Sequence, residues 1–181
     1  MTRTQYYAAT SLDGFIADAS HSLDWLFRSR SEEGGPPGYR EFIASVGALA
    51  MGSNTYEWIL AHEAAGPDPE AATWPYDLPC WVFTHRALTV PAGAQVVLTS
   101  DHIATVHQAM AAEAGDRNIW IVGGGDVAGQ FADAGLLDEL LLAIAPVTLG
   151  TGAPLLPRRL DLTLEGVVQN MDFACVRYSV R

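Results

Sequence analysis

The residues that most clearly indicate a binding site are three consecutive glycines, Gly123 to Gly125. They stand between an apolar run and a helix-like pattern. Glycine adopts backbone dihedrals that are closed to other residues, and it carries no side chain that would keep an anion at a distance. A helix that begins directly after them would point free N–H groups and its positive dipole end at such an anion. The segment therefore predicts a nucleotide or phosphate site, with an ordinary strand-to-helix turn as the alternative.

The same glycines match the spacing of a Rossmann fingerprint if Ala128 is counted as its last small residue. In that fold the motif opens the first βαβ unit, and an acidic residue about 20 positions later binds the ribose. Here the turn lies late in the chain, and residues 143–146 contain no carboxylate. The context therefore argues against a Rossmann domain.

Other common catalytic arrangements lack support. The chain contains no lysine, which excludes a Schiff base, a lysine-anchored pyridoxal cofactor and the lysine-dependent nucleotide loop. Its five histidines include no pair at helical ligand spacing, and its two cysteines form no C-x-x-C pair, so no metal site is predicted. No G-x-S-x-G elbow is present. A bound phosphate would need arginine, histidine, hydroxyl groups or backbone amides.

Composition limits the class of protein. With 181 residues, of which 49% are hydrophobic, the chain can bury a core and is expected to form one domain, residues 1–181. The net charge of −11 argues against nucleic acid, because phosphate backbones attract clustered cations. No apolar run approaches the roughly 20 residues of a membrane span, and no signal-peptide pattern opens the chain. We therefore expect a cytoplasmic protein that binds neither nucleic acid nor membrane.

The elements that must position these groups alternate between strands and helices. Strands are predicted at residues 5–9, 48–51, 80–84, 95–98, 118–122 and 140–149, followed by a terminal hairpin of 162–168 and 173–180. Helices are predicted at residues 39–46, 54–60, 103–110 with Ser100 as N-cap, and 126–134, and residues 62–79 are predicted as a long loop. This order predicts an α/β three-layer sandwich with a central mixed, mostly parallel sheet that ends in an antiparallel C-terminal hairpin.

Four short motifs, taken together, resemble the dihydrofolate reductase superfamily. They are Ala8-Ala9-x-x-x-Asp13-Gly-Phe-Ile16, Met51-Gly-Ser-Asn-Thr-Tyr56, Val82-Phe-Thr-His-Arg86 and Ile121-Val-Gly-Gly-Gly125. Further phrases, at residues 11–17 and at 135–140 followed by 145–155, are typical of the branch that is related to the C-terminal reductase domain of bacterial riboflavin-biosynthesis enzymes. The resemblance covers nearly the whole chain, and the order and spacing of the motifs are specific.

The resemblance implies an NADPH-dependent reductase that transfers a hydride to a small heterocyclic or sugar-derived substrate, as in the reduction of a phosphoribosylaminopyrimidine. Relatives often pair as homodimers, so the resemblance also implies a homodimer for this chain. The residues that it places at the cofactor are Ala9, Ile16, Gly52, Ser53, Asn54, Thr55, Thr84, His85, Arg86, Val122, Gly123, Gly124, Gly125, Asp126 and Val127. Asp13, Trp25, Gly150 and Gly152 are our candidates for the substrate side. For Asp13 the alternative is that its carboxylate orders its own turn, and for Trp25 it is a core position.

Two positions depart from the pattern of the superfamily. Many relatives carry Gly-Arg-x-Thr where this chain has Gly52 to Thr55, so the arginine that would clamp the adenosine phosphate of NADPH is missing. Arg86 could replace it as a bidentate donor, and Ser53 adds a hydroxyl; without them the alternatives are NADH or no dinucleotide. A dinucleotide- or nucleotide-binding protein without catalysis is the second hypothesis. The acidic residue that binds the pterin in true dihydrofolate reductases falls near Pro36, where no carboxylate stands, so folate reduction is not expected.

Overall fold

The computed structural model describes residues 2–32, 35, 38–66 and 74–181. Position 36, near which the pterin-binding acidic residue of true dihydrofolate reductases would fall, lies outside the described residues. The strands are β1 (Thr4–Ser11), β2 (Phe15–Ala17), β3 (Val46–Gly52), β4 (Cys80–Phe83), β5 (Val96–Thr99), β6 (Asn118–Gly123), β7 (Glu139–Ala145), β8 (Ala153–Pro154), β9 (Leu162–Asn170) and β10 (Phe173–Val180). The helices are α1 (Tyr39–Ala44), α2 (Ser53–Ala64), α3 (Ile103–Ala114) and α4 (Gly125–Asp133), with a 3-10 turn at Leu26–Arg28.

Within these residues, eight strands form one mixed sheet in the order β5-β4-β3-β6-β1-β7-β10-β9. The first six strands in this order, from β5 through β7, run parallel to one another. Strand β10 pairs antiparallel with both β7 and β9. Strands β2 and β8 form a separate antiparallel pair. The predicted mixed, mostly parallel sheet with an antiparallel C-terminal hairpin is therefore confirmed.

Both faces of the central parallel strands are buried, as expected when helices cover a parallel sheet on both sides. Along β6, Ile119 and Ile121 pack into one core cluster with residues of α3 and α4, while Trp120 between them packs into the other cluster. This alternation follows from the two-residue period of a strand. The second cluster also holds Phe42 of α1 and Tyr56 of α2, so the helices form the two outer layers.

Several element boundaries differ from the predicted ones. Helix α1 ends at Ala44 because Val46 already begins the buried strand β3, and α2 continues to Ala64 into the predicted loop. The rest of that loop includes residues 67–73, which lie outside the described part of the chain. Strand β7 ends at Ala145, just before Pro146, which has no N–H to donate. Ser100 is not the cap of α3, since His102 is the N-cap and makes no side-chain cap hydrogen bond.

None of the helices that the structure describes is both long enough and apolar enough to cross a bilayer.

Candidate functional site

Three adjacent parallel strands end at the same edge of the sheet, where β3 reaches Gly52, β6 reaches Gly123 and β1 reaches Ser11. Helix α2 begins directly after β3, and α4 begins two residues after the end of β6. In open α/β sheets, ligands bind in the crevice outside the carboxyl ends of the strands. This edge is therefore the natural place for a site.

Each of the three glycines has a separate structural reason. Gly124 has φ 93°, in the left-handed region that other residues avoid. A Cβ atom on Gly123 would lie 2.7 Å from Thr55 Oγ1, and one on Gly125 would lie 2.0 Å from the carbonyl oxygen of Pro154. The glycines therefore let α2, α4 and the β8 segment approach one another at this edge.

Two helix N-termini converge at this point. The N-cap residues, Gly52 for α2 and Gly124 for α4, have no side chain to cap their helices. They are close together, because a Cβ on Gly124 would lie 3.3 Å from the backbone nitrogen of Gly52. First-turn N–H groups and two positive dipole ends thus face one region, which is the physical basis of anion binding at helix N-termini.

Three cavities follow this edge of the sheet. The outer cavity, of about 300 Å³, lies between the N-termini of α2 and α4 and the ends of β4 and β5. The middle cavity, of about 350 Å³, lies over β1 and β6 beside the β2 and β8 pair. The inner cavity, of about 460 Å³, lies between β1, the Leu26–Arg28 turn and the start of β10.

Neighbouring cavities share residues in their walls. The outer and middle cavities share Asn54, Thr55, Gly124 and Asp126 in their walls. The middle and inner cavities share Ala8, Ala9 and Leu26. An elongated ligand could therefore extend through the first two cavities and touch a second ligand in the third.

The residues predicted at the cofactor lie together, with one exception. Those in the wall of the outer cavity are Gly52, Ser53, Asn54, Thr55, Thr84, His85, Gly124, Asp126 and Val127. Those in the wall of the middle cavity are Ala9, Ile16, Asn54, Thr55, Val122, Gly123, Gly124, Gly125 and Asp126. Their role in binding stays a prediction.

Arg86 is the exception, since it lines none of these cavities. Its guanidinium donates to the Glu57 carboxylate at 2.6 Å and to Asn54 Oδ1 at 3.3 Å. Its side chain is 51% exposed. Any contact between Arg86 and a phosphate in the outer cavity would therefore compete with Glu57.

Asp13 organises a turn at the other side of the cleft. Its carboxylate accepts hydrogen bonds from Ser11 Oγ at 2.6 Å, from the backbone N–H of Leu149 at 3.0 Å and from that of Gly150 at 2.7 Å. The hydrogen bond from Ser11, followed by those from the two backbone groups, lowers the pKa of Asp13 to about 2. Asp13, Gly150 and Gly152 line none of the outer, middle and inner cavities. The geometry favours the turn-ordering alternative for Asp13.

Trp25 lies behind a cavity wall. It is 8% exposed and packs in a cluster with Ala145, Phe173 and Cys175. Phe173 and Cys175 line the inner cavity, whereas Trp25 does not. Its Nε1 is buried and has no hydrogen-bond partner among the described residues. Trp25 therefore supports the inner cavity from behind.

The structure adds residues that sequence reasoning missed. Tyr6 lines the middle cavity, and its hydroxyl is buried with no partner among the described residues; burial raises its pKa. Glu32, Tyr39 and Asn170 line the inner cavity. The alternation along β1 could have indicated a buried Tyr6. Nothing local indicates Glu32, because its contact with Asn170 joins positions 138 residues apart.

The inner cavity has an aromatic wall. The Tyr7 ring stacks on Phe42 with centroids 4.3 Å apart, and it lies 6.3 Å from the tilted ring of Tyr39. Burial, together with the neighbouring Cys175 and Tyr39, raises the pKa of Tyr7 to about 12. Burial also raises the pKa of the Cys175 thiol. Both groups are therefore neutral at physiological pH.

The fold and the site together define an α/β domain with a ligand cleft at the carboxyl edge of a mixed sheet. The model of the RibD C-terminal domain matches residues 4–173, and the chain belongs to this family. It is 32% identical to the uncharacterized protein YwjB of Bacillus subtilis strain 168 over 177 residues, covering 92% of this chain and 91% of YwjB. The uncharacterized protein YyaP of the same organism is 27% identical over 153 residues, or 81% of this chain and 76% of YyaP.

Solved structures share the fold. A protein of Shewanella sp. PV-4, provisionally described as a riboflavin biosynthesis protein, superposes with a TM-score of 0.82 at 27% identity and 99% coverage of both chains. RibD of Acinetobacter baumannii superposes with a TM-score of 0.71 at 18% identity, covering 100% of this chain and 58% of RibD. The membership confirms the branch of the superfamily that the motifs resemble.

Proposed function

We propose that the protein is an NADPH-dependent reductase that transfers a hydride to a small heterocyclic or sugar-derived acceptor. Membership of the RibD C-terminal domain family supports a reductase related to riboflavin biosynthesis. The acceptor would gain a hydride at the carbon of a C=N or C=O bond and a proton at the heteroatom, and the oxidised dinucleotide would leave. A cytoplasmic location is part of the proposal, with cell fractionation as its test.

One observation carries this proposal. Ala8 and Ala9 line both the middle and the inner cavity. Ligands that occupy the two cavities would therefore lie next to each other at these two small residues. Hydride transfer needs the reacting atoms about 3 to 3.5 Å apart, and positioning is the main contribution a protein makes to it.

The residues present fit a dinucleotide. The converging N-termini of α2 and α4 offer backbone N–H groups to a pyrophosphate, and Thr55 adds a hydroxyl in the walls of both the outer and the middle cavity. The unpartnered Tyr6 hydroxyl beneath the middle cavity is a polar group for which a carboxamide or ordered water would be a partner. When bound, the reduced nicotinamide supplies the hydride.

Titration against intrinsic tryptophan fluorescence tests the proposal. Trp58 lines the middle cavity, so a dinucleotide bound there should quench it. We expect a saturable change with NADPH, smaller in Trp58→Phe, and turnover with at least one pterin, pyrimidine or quinone acceptor. Absence of a saturable change with both NADPH and NADH would contradict the proposal. Binding without turnover across the acceptors would instead favour a dinucleotide-binding protein without catalysis.

A homodimer is the second part of the proposal. Strand β9 lies at one edge of the sheet, and Leu164, Val167 and Val168 on it are 54%, 62% and 46% exposed. An exposed apolar edge strand is a surface that proteins usually cover. We expect a dimer by light scattering and a monomer for Val167→Lys. A monomeric wild-type protein at micromolar concentration would contradict this part.

A further inference from the structure

We propose that Arg158 is a positioning residue of the dinucleotide site, which holds the Asp126 carboxylate and neutralises its charge beside a bound pyrophosphate. The inference rests on the proposed function and adds a residue to it. Arg158 lines none of the outer, middle and inner cavities, so its effect on a ligand would be exerted through Asp126.

The position of Asp126 is the first argument. Four described residues line both the outer and the middle cavity, and Asp126 is the one among them with a charged side chain. A dinucleotide that extends through both cavities would therefore pass this carboxylate. Asp126 also stands in the first turn of α4, where its charge would compete with a pyrophosphate for the positive end of the helix dipole. An uncompensated carboxylate at this position would weaken the binding of a phosphate.

The hydrogen bonds of Arg158 are the second argument, because they supply the compensating charge. Its Nη2 donates to Asp126 Oδ1 at 3.0 Å, and its Nε donates to Asp133 Oδ2 at 2.7 Å. Its Nη1 donates to the carbonyl oxygen of Pro157 at 2.9 Å. Gln130 Nε2 donates to the other oxygen of Asp126, also at 2.9 Å. Both oxygens of this carboxylate therefore have a donor, and one of the two donors is a cation.

The surface of α4 beneath the arginine is the third argument. Asp126, Gly129 and Asp133 follow one another at intervals of three and four residues, so they lie on one face of the helix. A Cβ atom on Gly129 would lie 3.0 Å from Arg158 Cγ and 3.2 Å from its Cζ. The arginine side chain therefore lies flat against the helix, and its guanidinium is held between the two carboxylates. It is 30% exposed, the lowest value among the arginines of the described ion pairs.

The alternative role of Arg158 is structural, because it also joins the segment after β8 to α4. Its two carboxylate partners distinguish the roles. Asp126 lies in two cavity walls, whereas Asp133 lies in none of the three. Loss of the Asp133 charge should therefore weaken the attachment of the segment without changing the charge beside the ligand. Loss of the charge that compensates Asp126 should change the affinity.

A double-mutant cycle on NADPH affinity, measured by calorimetry, tests the inference. We expect Arg158→Gln to weaken NADPH binding about fivefold at low ionic strength, because the Asp126 charge is then uncompensated. Asp126→Asn alone should not weaken binding, and the double variant should return to within about twofold of wild type. The loss in Arg158→Gln should also become smaller in about 0.5 M salt, since Asp126 is exposed and its charge is screened.

Two control variants isolate the effect. Arg159→Gln removes the same charge from the neighbouring residue, whose side chain is 92% exposed, and should leave NADPH affinity within about twofold of wild type. Asp133→Asn removes the other carboxylate partner of Arg158. It should lower the melting temperature, as Arg158→Gln does, but leave NADPH affinity within about twofold of wild type.

The outcomes separate this inference from the proposed function. Failure of NADPH to bind the wild-type protein would overturn the proposed function and this inference with it. If the wild type binds NADPH, unchanged affinity in Arg158→Gln would overturn the inference alone. An equal loss of affinity in Arg158→Gln and in the double variant would also overturn it, because Arg158 would then act on the ligand or the cavity wall without Asp126. A loss of the same size at low and high salt would count against the electrostatic cause.

Discussion

The two ends of the parallel strands are built differently. At the amino end, the buried carboxylate of Glu139 on β7 is surrounded by donors: it forms an ion pair with Arg3, an ion pair of 2.6 Å with Arg177 and a hydrogen bond of 2.7 Å with Gln5. At the carboxyl end, α2 and α4 begin at glycines without a side-chain cap. At the amino end, the carboxylate charge is paired with arginines of the same chain. At the carboxyl end, the N–H groups of two helix N-termini are directed at a cavity.

The contrast separates stability from binding. Both oxygens of the buried Glu139 carboxylate have donors, which stabilises the fold and leaves little for a ligand to bind. Open helix termini contribute less to the fold, and they are ready for an anion. Changes at the amino end should therefore alter the free energy of unfolding, and changes at the carboxyl end should alter affinity.

Gly125→Ala should have the largest effect, because it affects both properties. Its Cβ would meet the backbone oxygens of Pro154 and Leu155 at 2.0 and 2.6 Å, and neither can move freely. We expect a loss of about 3 kcal/mol in the free energy of unfolding, measured with urea, and at least about tenfold weaker NADPH binding. Gly166→Ala in β9, where a Cβ would meet open space, is the matched control.

Gly123→Ala then separates binding from folding. The atoms nearest to its Cβ belong to the side chain of Thr55, the closest at 2.7 Å, so the fold should tolerate it better than Gly125→Ala, whose Cβ meets backbone. NADPH affinity should still fall, since Thr55 lies in the walls of both the outer and the middle cavity. Unchanged affinity in this folded variant would mean that the turn is only a packing device.

Glu139→Gln should reduce stability without affecting binding. It leaves two arginines without their shared carboxylate in a position where the glutamate side chain is 6% exposed. We expect a loss of about 2 kcal/mol at pH 7, with the NADPH dissociation constant unchanged. Glu165→Gln, at an exposed carboxylate that accepts a hydrogen bond from Ser179, is the control and should change stability by less than about 0.5 kcal/mol.

The pH dependence of that difference has a definite sign. Burial alone would raise the pKa of Glu139, but the hydrogen bonds from Arg177 and Gln5 outweigh it and lower the pKa. The stabilisation is therefore present above the pKa of the unfolded state and is lost as pH falls through the folded pKa. The free energies of unfolding of wild type and Glu139→Gln, measured with urea, should differ most near neutral pH and become similar in acid. A pH-independent difference would contradict the assignment.

Glu57→Gln should have a smaller effect, confined to cofactor choice. It weakens the partner that holds the Arg86 guanidinium at the rim of the outer cavity. If Arg86 replaces the missing family arginine, the release of its guanidinium from residue 57 should raise the ratio of NADPH to NADH affinity by about fivefold, or roughly 1 kcal/mol. Arg86→Ala should lower the same ratio. Arg159→Ala, at a side chain that is 92% exposed, is the control. An unchanged ratio in Arg86→Ala would remove Arg86 from phosphate recognition.

The parts of the molecule that the sequence predicts are those with local signals. The glycine turn and the strand before it follow from composition and from the two-residue period, and the structure places the turn between β6 and α4. The end of α1 was misjudged because Val46 continues the helical spacing although it belongs to β3. Pairing with β6 places Val46 in a strand, and no local sequence pattern contains that information.

The positions of individual polar side chains are harder to predict because their contacts are long-range. Glu32 is fixed by Asn170, and Arg86 is held by Glu57, 29 residues earlier in the chain. One sequence contains no information on which distant residues pair. The same limit left two roles open for Asp13, whose partners Leu149 and Gly150 lie more than 130 residues away.

Asp13→Asn should have the smallest effect, and its pH dependence decides between those roles. The variant keeps the side chain's shape but removes the charge that the two backbone N–H groups and Ser11 Oγ share. Because the pKa of Asp13 is lowered to about 2, its stabilisation is present above the unfolded pKa and is lost as pH falls toward 2. The melting temperature of the variant should therefore be slightly lower at pH 7, and it should approach that of wild type as pH falls through about 2.

Kinetics provide the second readout for Asp13. If the carboxylate only orders the turn, kcat/KM for the acceptor should stay within about twofold of wild type, since Asp13 lies outside the wall of the inner cavity. A large loss of kcat/KM at unchanged stability would show that Asp13 reaches the acceptor. The functional end of the sheet would then extend beyond the three cavities, to the turn that joins β7 and β8.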